Sequence, residues 1–431
     1  MKRALFILAL FLASGCLAAC GSNSRNVAQA QAPPARVSSG DWTMYQYAPH
    51  HNAVFDRAGF RHKWVFDSKA KINGGLAIVG DTLVLDTFGK EVIALDARTG
   101  KPLWRTQLDN IVMSTPVVVN GLVYVGSGGN DMLAHQGNML LRFQYHGKAV
   151  WGIPNGDEVV ALNLKDGKPR WRFKTIGEDM PSPVYDRGRI VFANGDWHAY
   201  ALRADNGKQI WQRDTSGVST MASATVAGGN VLVATCKDGI RDSRMMALNP
   251  DTGDVVWQTP YGHCDASPTY GDGKIFTADV EPGAIKYVGR TVVAAVDPKT
   301  GKAIWTYRAN SQGVWTMLGS DEAAIAGTYN NGTYYQSAPL DDQLIAFDAA
   351  TGKIRWTLHT AGPVKMSPVV RNGRLYVGDT VGMFYIVDAN SGKLMAIQPF
   401  KKPFTTSPPV IVGNTLFIVN GESVQAVPLS G

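Results

Sequence analysis

Charge is scarce in this chain: Asp, Glu, Lys and Arg make up 18% of its 431 residues. That share argues against a coiled coil or helical bundle, and the 45% hydrophobic content excludes a disordered chain. Basic residues outnumber acidic ones by 42 to 35, yet no run rich in Lys or Arg occurs, so there is no nucleic-acid footprint. Beyond the extreme N-terminus no segment is long and apolar enough to cross a bilayer. Only four cysteines are present, no two of them adjacent, and the eight histidines lack metal-ligand spacing, His50 and His51 being simple neighbours. What the chain has in quantity is Gly, at 46 residues, and aromatic side chains, at 10%, a balance that makes an all-β fold the default.

The N-terminus assigns the compartment. Lys2 and Arg3 precede an apolar stretch from Ala4 to Ala13, and Leu17-Ala18-Ala19-Cys20 follows. The last four residues resemble a bacterial lipobox, in which small residues admit the signal peptidase and Cys20 receives the lipid. Gly21, rather than Asp, stands after Cys20, and the resemblance then implies the outer membrane, facing the periplasm, with several acyl chains as the anchor. An ordinary secretory signal cleaved near Ala19 is the alternative. Residues 1–19 read as signal peptide, 20–40 as the lipidated Cys and a flexible Ser/Asn/Gln/Ala/Pro tether, and 41–431 as one folded domain.

That domain repeats itself. Ala94-Leu95-Asp96 is followed by Gly100 and Trp104, and the same offsets recur at Gly167 with Trp171, Gly207 with Trp211, Gly253 with Trp257, Gly301 with Trp305 and Gly352 with Trp356. A seventh copy, at Gly392, has Ala396 in the Trp place. The Asp or Asn starts a tight turn, the Gly supplies its positive φ, and the Trp fills the wedge between neighbouring sheets. Two further alternating runs precede each copy, so the unit is a four-stranded meander, strands A to D. The turn glycines are 67, 40, 46, 48, 51 and 40 residues apart, the spacing of propeller blades. After Gly392 the chain offers three strands, near Ser407–Val412, Thr415–Val419 and Val424–Leu429, and the strand around Trp64 lacks partners. Joining them predicts an eight-bladed β-propeller of four-stranded antiparallel blades, closed by the N-terminal strand and without open sheet edges.

The Ala-Leu-Asp-x-x-Thr-Gly-Lys-x-x-Trp pattern resembles the repeat of the pyrroloquinoline-quinone (PQQ) propeller superfamily over roughly residues 60–430. That superfamily includes quinoprotein dehydrogenases and BamB-type lipoproteins of the outer-membrane barrel-assembly machinery. Resemblance to the BamB type implies a non-catalytic scaffold without cofactor or metal, presenting one face to the periplasmic domains of a β-barrel assembly protein. The alternative is a PQQ-dependent or related periplasmic oxidoreductase, with PQQ over a Trp floor and Ca²⁺ beside a catalytic Asp. For it speaks Asp41-Trp42-Thr43-Met44-Tyr45, similar to the start of many quinoprotein-like chains; against it speak the short folded part and the absence of an adjacent Cys pair. A secreted propeller hydrolase acting on sulfur compounds is a further reading, without a motif of its own.

Departures from the repeat point to one elaborated face. Long B–C loops are expected at Ser127–Glu158, Cys236–Arg244, Asp279–Arg290 and Tyr329–Asp342, with an extra hairpin around His146-Gly147-Lys148. Interfaces favour aromatic residues on such loops, which makes Phe143, Tyr145, Tyr334 and Tyr335 the candidate partner contacts; folding back over the hub is the competing expectation. The lead-ins to strand A recur as Met113-Ser114-Thr115-Pro116, Met180-Pro181-Ser182-Pro183 and Met221-Ala222-Ser223, and they line the channel mouth. Their Met residues read as packing rather than as a soft-metal ring. With Cys16 removed and Cys20 lipidated, Cys236 and Cys264 remain, and an oxidising periplasm favours their pairing across 28 residues. Gly126-Ser127-Gly128-Gly129 opens no helix and is no phosphate turn, while Glu178-Asp179 and Asp341-Asp342 read as solvated turns.

Overall fold

The computed structural model describes residues 54–55 and 59–429, apart from 129–141, 146–147, 152–156, 238–241, 283–287, 311–312, 315–326 and 339–341. Eight antiparallel sheets, each built from four strands paired in the order A-B-C-D, make the expected propeller, and no helix occurs among the described residues. In blade 1 the strands are Ala77–Val79, Thr82–Asp86, Glu91–Asp96 and Pro102–Gln107. Strand C is buried on both faces, Val92 to Leu95 being inaccessible, because neighbouring blades cover it from either side. Strand D alternates, since only one of its faces meets a neighbour.

Blade 8 closes the ring. Val410–Val412, Thr415–Asn420 and Ser423–Pro428 supply strands A to C, and Trp64–Asp67 adds as strand D with Trp64 opposite Ala426. The Thr415 hydroxyl fixes this closure by accepting the Phe60 N–H and donating to the Phe60 carbonyl, both at 2.7 Å. One element escapes a reading of the sequence: Val54–Phe55 pairs in parallel with Val410–Val412 and so lies inboard of the innermost strand, on the channel side.

The seven repeat tryptophans share one role. Each packs on the turn glycine of the next blade and donates its indole N–H to the carbonyl just after the Asp-like residue there: Trp64 to Ala97 at 3.0 Å, Trp104 to Leu164 at 2.8 Å, Trp171 to Ala204 at 2.9 Å and Trp211 to Pro250 at 3.0 Å. Trp257, Trp305 and Trp356 do the same to Pro298, Ala349 and Ala389. Ala396 now has a cause. Strands C and D of blade 8 come from opposite ends of the chain, so no C–D turn exists there for a blade 7 Trp to cover.

Toward the axis, the lead-ins are stitched by hydroxyls rather than by methionine. The backbone N–H of Gly75 donates to Thr115 Oγ1 (2.8 Å), that of Thr115 to Ser182 Oγ (2.7 Å), that of Ser182 to Ser223 Oγ (3.1 Å) and that of Ser223 to Ser267 Oγ (3.0 Å). Each bond satisfies a buried donor that no sheet ladder reaches.

Blade 6 corrects the expected loop map. Its strands A and B are Gly327–Asn330 and Thr333–Ala338, so Tyr329–Asp342 is largely an A–B hairpin instead of a B–C loop. Tyr334 and Tyr335 therefore face the packed interior, at 1% and 2% exposure, with Tyr334 stacked on Phe276 at 4.6 Å between centroids. Neither is available to a partner. Glu178 and Asp179 are likewise buried rather than solvated.

Candidate functional site

The strand geometry places the described lead-ins at one end of the channel. The residue four places before the start of strand A forms the mouth: Asn73, Met113, Met180, Met221, Asp265, Lys365 and Thr406 in blades 1 to 5, 7 and 8. The ring is two-sided. Met113 and Met180 pack with Ile111, joined by Phe88 and Met221, giving a soft, polarisable wall over blades 1 to 4. Asp265, Lys365 and Thr406 make the opposite wall polar.

At Asp265 the ring joins a denser cluster between blades 4 and 5. Cys236 ends strand B of blade 4 and Cys264 precedes Asp265, and their Sγ atoms lie 2.22 Å apart, at bonding distance. The Cys264 carbonyl accepts three backbone N–H groups, from Thr220 (3.3 Å), Met221 (3.0 Å) and Ala222 (2.7 Å), so the two lead-ins are locked together. The Thr220 hydroxyl donates to the Asp265 carboxylate. His263 is fully buried; its Nδ1 accepts the Asp265 N–H at 3.2 Å and lies 4.0 Å from Cys264 Sγ. Ligand atoms of Cys236, His263 and Cys264 fall within 4.8 Å of one another, a soft-metal donor set if reduced, but sulfurs bonded to each other are not available to an ion.

Asp279 completes the cluster from strand B of blade 5, Lys274–Pro282. Burial pushes its carboxyl up to about 6, against the opposing pull of His263 and of hydrogen bonds from the Val280 N–H, Ser243 and the Gly262 backbone. The residue keeps a partly exposed edge. A carboxyl that burial raises to about 6 is suited to general-base work.

Two other buried acids shape this end of the molecule. Asp179 receives hydrogen bonds from the Thr175 hydroxyl and from Asn194 Nδ2 (3.1 Å); burial chiefly, and then the carboxylates of Asp157 and Asp196, hold its pKa well above the usual range. Asp86 is buried under Gly74, with both carboxyl oxygens unbonded among the described residues, and burial raises it far above an ordinary carboxylate.

Of the residues expected from the sequence, Cys236 and Cys264 come together, Tyr334 and Tyr335 are core, and Cys20 lies outside the described residues. Phe143 and Tyr145 fall on the strand Arg142–Tyr145, which pairs with Lys148–Trp151 as the foreseen hairpin. His263, Asp265 and Asp279 were passed over. The seven repeat tryptophans are committed to blade interfaces, and the described mouth residues are Met, Asp, Lys, Asn and Thr.

The family described as outer membrane protein assembly factor BamB matches residues 53–152, 145–263 and 241–430. A tetrathionate hydrolase of Acidithiobacillus ferrooxidans is 27% identical over 94% of this chain and 90% of its own length. The outer membrane protein assembly factor BamB of Burkholderia pseudomallei is 24% identical over 79% of this chain and 80% of its own. Among solved structures, BamB from Moraxella catarrhalis superimposes with a TM-score of 0.63 at 16% identity, covering 86% of this chain and 99% of that one, a likeness of fold.

Proposed function

The chain belongs to the family described as outer membrane protein assembly factor BamB, and from that membership we propose a periplasm-facing propeller, anchored through Cys20 to the outer membrane, whose channel mouth hydrolyses a sulfur–sulfur bonded oxoanion of the tetrathionate class. One observation carries the chemistry: the Asp279 carboxyl, raised to about 6 by burial, under the field of His263, whose Nδ1 lies 3.5 Å from Asp265 Oδ2 at the polar side of the mouth. The near full-length similarity to a tetrathionate hydrolase supports the choice of substrate class. The Met wall suits a polarisable sulfur chain.

The step balances without a redox partner. Asp279 takes a proton from water; the oxygen bonds to a terminal sulfonate sulfur, and the bond from that sulfur to the sulfur chain breaks with its electron pair leaving on the chain. Tetrathionate and water thus give sulfate, a disulfane monosulfonate and two protons. Purified full chain incubated with tetrathionate should release sulfate and acid, read by ion chromatography, and Asp279→Asn should slow this by ~10²-fold or more. Failure of the wild-type protein to consume tetrathionate from acid to neutral pH would refute the reading.

A second reading, a scaffold for β-barrel assembly, is favoured by the hairpin at Arg142–Tyr145 and Lys148–Trp151. Its strands pair only with each other among the described residues, so an edge is free for strand addition beside Phe143 and Tyr145. Photocrosslinking from positions 143 and 145 in cells should then capture the periplasmic domains of a β-barrel assembly protein; capture of none removes this reading.

A further inference from the structure

Strand D repeats a choice at the residue after the Trp position. Blades 1 to 6 place Arg105, Arg172, Gln212, Gln258, Thr306 and Thr357 there, all polar. Blades 7 and 8 break the pattern together, with Ile397 and Val65, and these are 48% and 59% exposed. Strand D of blade 7, Leu394–Pro399, is exposed at all six positions, Leu394 at 39% and Met395 at 50%. Val381 on the adjoining B–C turn is 54% exposed, and the turn is tied to the end of the strand by the Phe400 N–H on the Gly382 carbonyl.

The missing C–D turn of blade 8 explains why this strand is open, but not why it is apolar. Strand D of other blades also exposes aliphatic residues, Leu103, Ile210, Val255, Val256, Ile304 and Ile354, but there the residue after the Trp is Arg, Gln or Thr. Only blades 7 and 8 add an aliphatic at the position after the Trp, and the patch that Ile397 and Val65 make with Leu394 and Met395 marks a contact surface. Its surroundings are basic: Lys393 precedes the strand, Lys401 and Lys402 follow it, and Arg61 and Lys63 precede strand D of blade 8, all exposed. The nearby acids are Asp388, Glu422 and Asp67; Asp67 is engaged by Lys69 at 2.8 Å and also attracted by Lys402. The patch lies on the outer rim, on strands rather than in a groove, so it suits a broad surface that is apolar within and anionic at its boundary. Those are the properties of a phospholipid headgroup layer.

We infer that the rim of blades 7 and 8 lies against an anionic lipid surface, with Ile397, Met395, Leu394 and Val65 entering the headgroup layer and the flanking lysines meeting phosphates. This stands apart from the chemistry at the mouth. The test uses the full chain carrying Cys20→Ser, so that no covalent lipid contributes. It should cosediment with vesicles of phosphatidylethanolamine and phosphatidylglycerol, more weakly with added salt, and not with vesicles of phosphatidylethanolamine and phosphatidylcholine. Replacing Lys401 and Lys402 by Ala should weaken binding about 10-fold. Ile397→Thr imports the residue that blades 5 and 6 carry and should weaken it while preserving the fold, whereas Leu103→Gln on blade 1 should leave it unchanged. Equal binding to both vesicle types, or equal loss from Leu103→Gln, would overturn the inference. So would self-association of the chain that Ile397→Thr abolishes, since the occupant would then be a second copy.

Discussion

Gly253 and Gly121 have nearly the same backbone, φ +73° and +74°, but opposite surroundings. A Cβ built at Gly253 meets Trp211 Cδ2 and Cε3 at 2.7 Å, while one built at Gly121 meets nothing within 4 Å. Ala at either position pays the same left-handed penalty, ~1 kcal/mol or slightly more. At Gly253 the added methyl must also displace a buried indole whose N–H is bonded to Pro250 at 3.0 Å, and overpacking of that kind costs about 1–3 kcal/mol more. Urea unfolding of Gly253→Ala and Gly121→Ala should therefore give midpoints that differ by this excess at unchanged slope. Trp211→Ala supplies the control: in its background the two glycine substitutions should become equivalent, because the clash has been removed and only the backbone cost remains. Equal losses in the wild-type background, or an excess that survives Trp211→Ala, would refute the view that the Trp-on-glycine contact is what the repeat selects.

Asp86→Ala, the residue that blade 3 carries at the corresponding Ala193, should stabilise the protein by about 1–3 kcal/mol at neutral pH by removing an unbonded buried carboxyl. Because the folded-state pKa of Asp86 is raised, the unfolded chain ionises first; the advantage of the variant should be small below the ordinary carboxylate pKa of 3.8 and grow as pH climbs above it, seen in thermal melts against pH. Tetrathionate turnover should rise with pH through about 6 as Asp279 loses its proton, and Asp279→Asn should flatten that limb of the profile. Cys264→Ser should cost ~3 kcal/mol in urea titration, the chain-entropy value for a loop of 28 residues, and diagonal electrophoresis should show the bridge in wild type alone.

The ring was legible because its two fixed offsets are physical: the turn glycine and the Trp that lands on it must move together. Blade closure was legible for the same reason, three orphan strands at one end and one at the other. Blade 6 misled because its A–B turn, Asn330-Asn331-Gly332, and the Thr333 and Gln336 of the following strand are polar, so a hairpin carried the signature of a long loop. Glu178 and Asp179 misled because their partners, Thr175 and Asn194, are met only in the fold. His263 is next to Cys264 in sequence, and adjacency alone does not put two side chains together; the segment is a turn, closed by the Ala266 N–H on the His263 carbonyl at 2.9 Å, and that curl brings ring and sulfur to one side. No pattern of spacing encodes such a bend.

A repeated blade is its own control experiment. Where one copy departs, the other seven show what packing alone requires, so a departure can be sorted by whether packing explains it. Ala396 is explained, since the turn it would cover does not exist. Asp265 is not, because the equivalent positions in blades 2, 3 and 4 are Met and pack well; a carboxyl there exchanges an apolar contact for polar ones with His263 and the Thr220 hydroxyl. Ile397 and Val65 are not explained either, because six copies show polar residues serving the same strand. Both unexplained departures are paired with neighbours of matching character, acid with imidazole at the mouth and aliphatic with lysine at the rim. The second kind falls at one position of strand D on two adjacent blades, 7 and 8, where drift would scatter it around the ring.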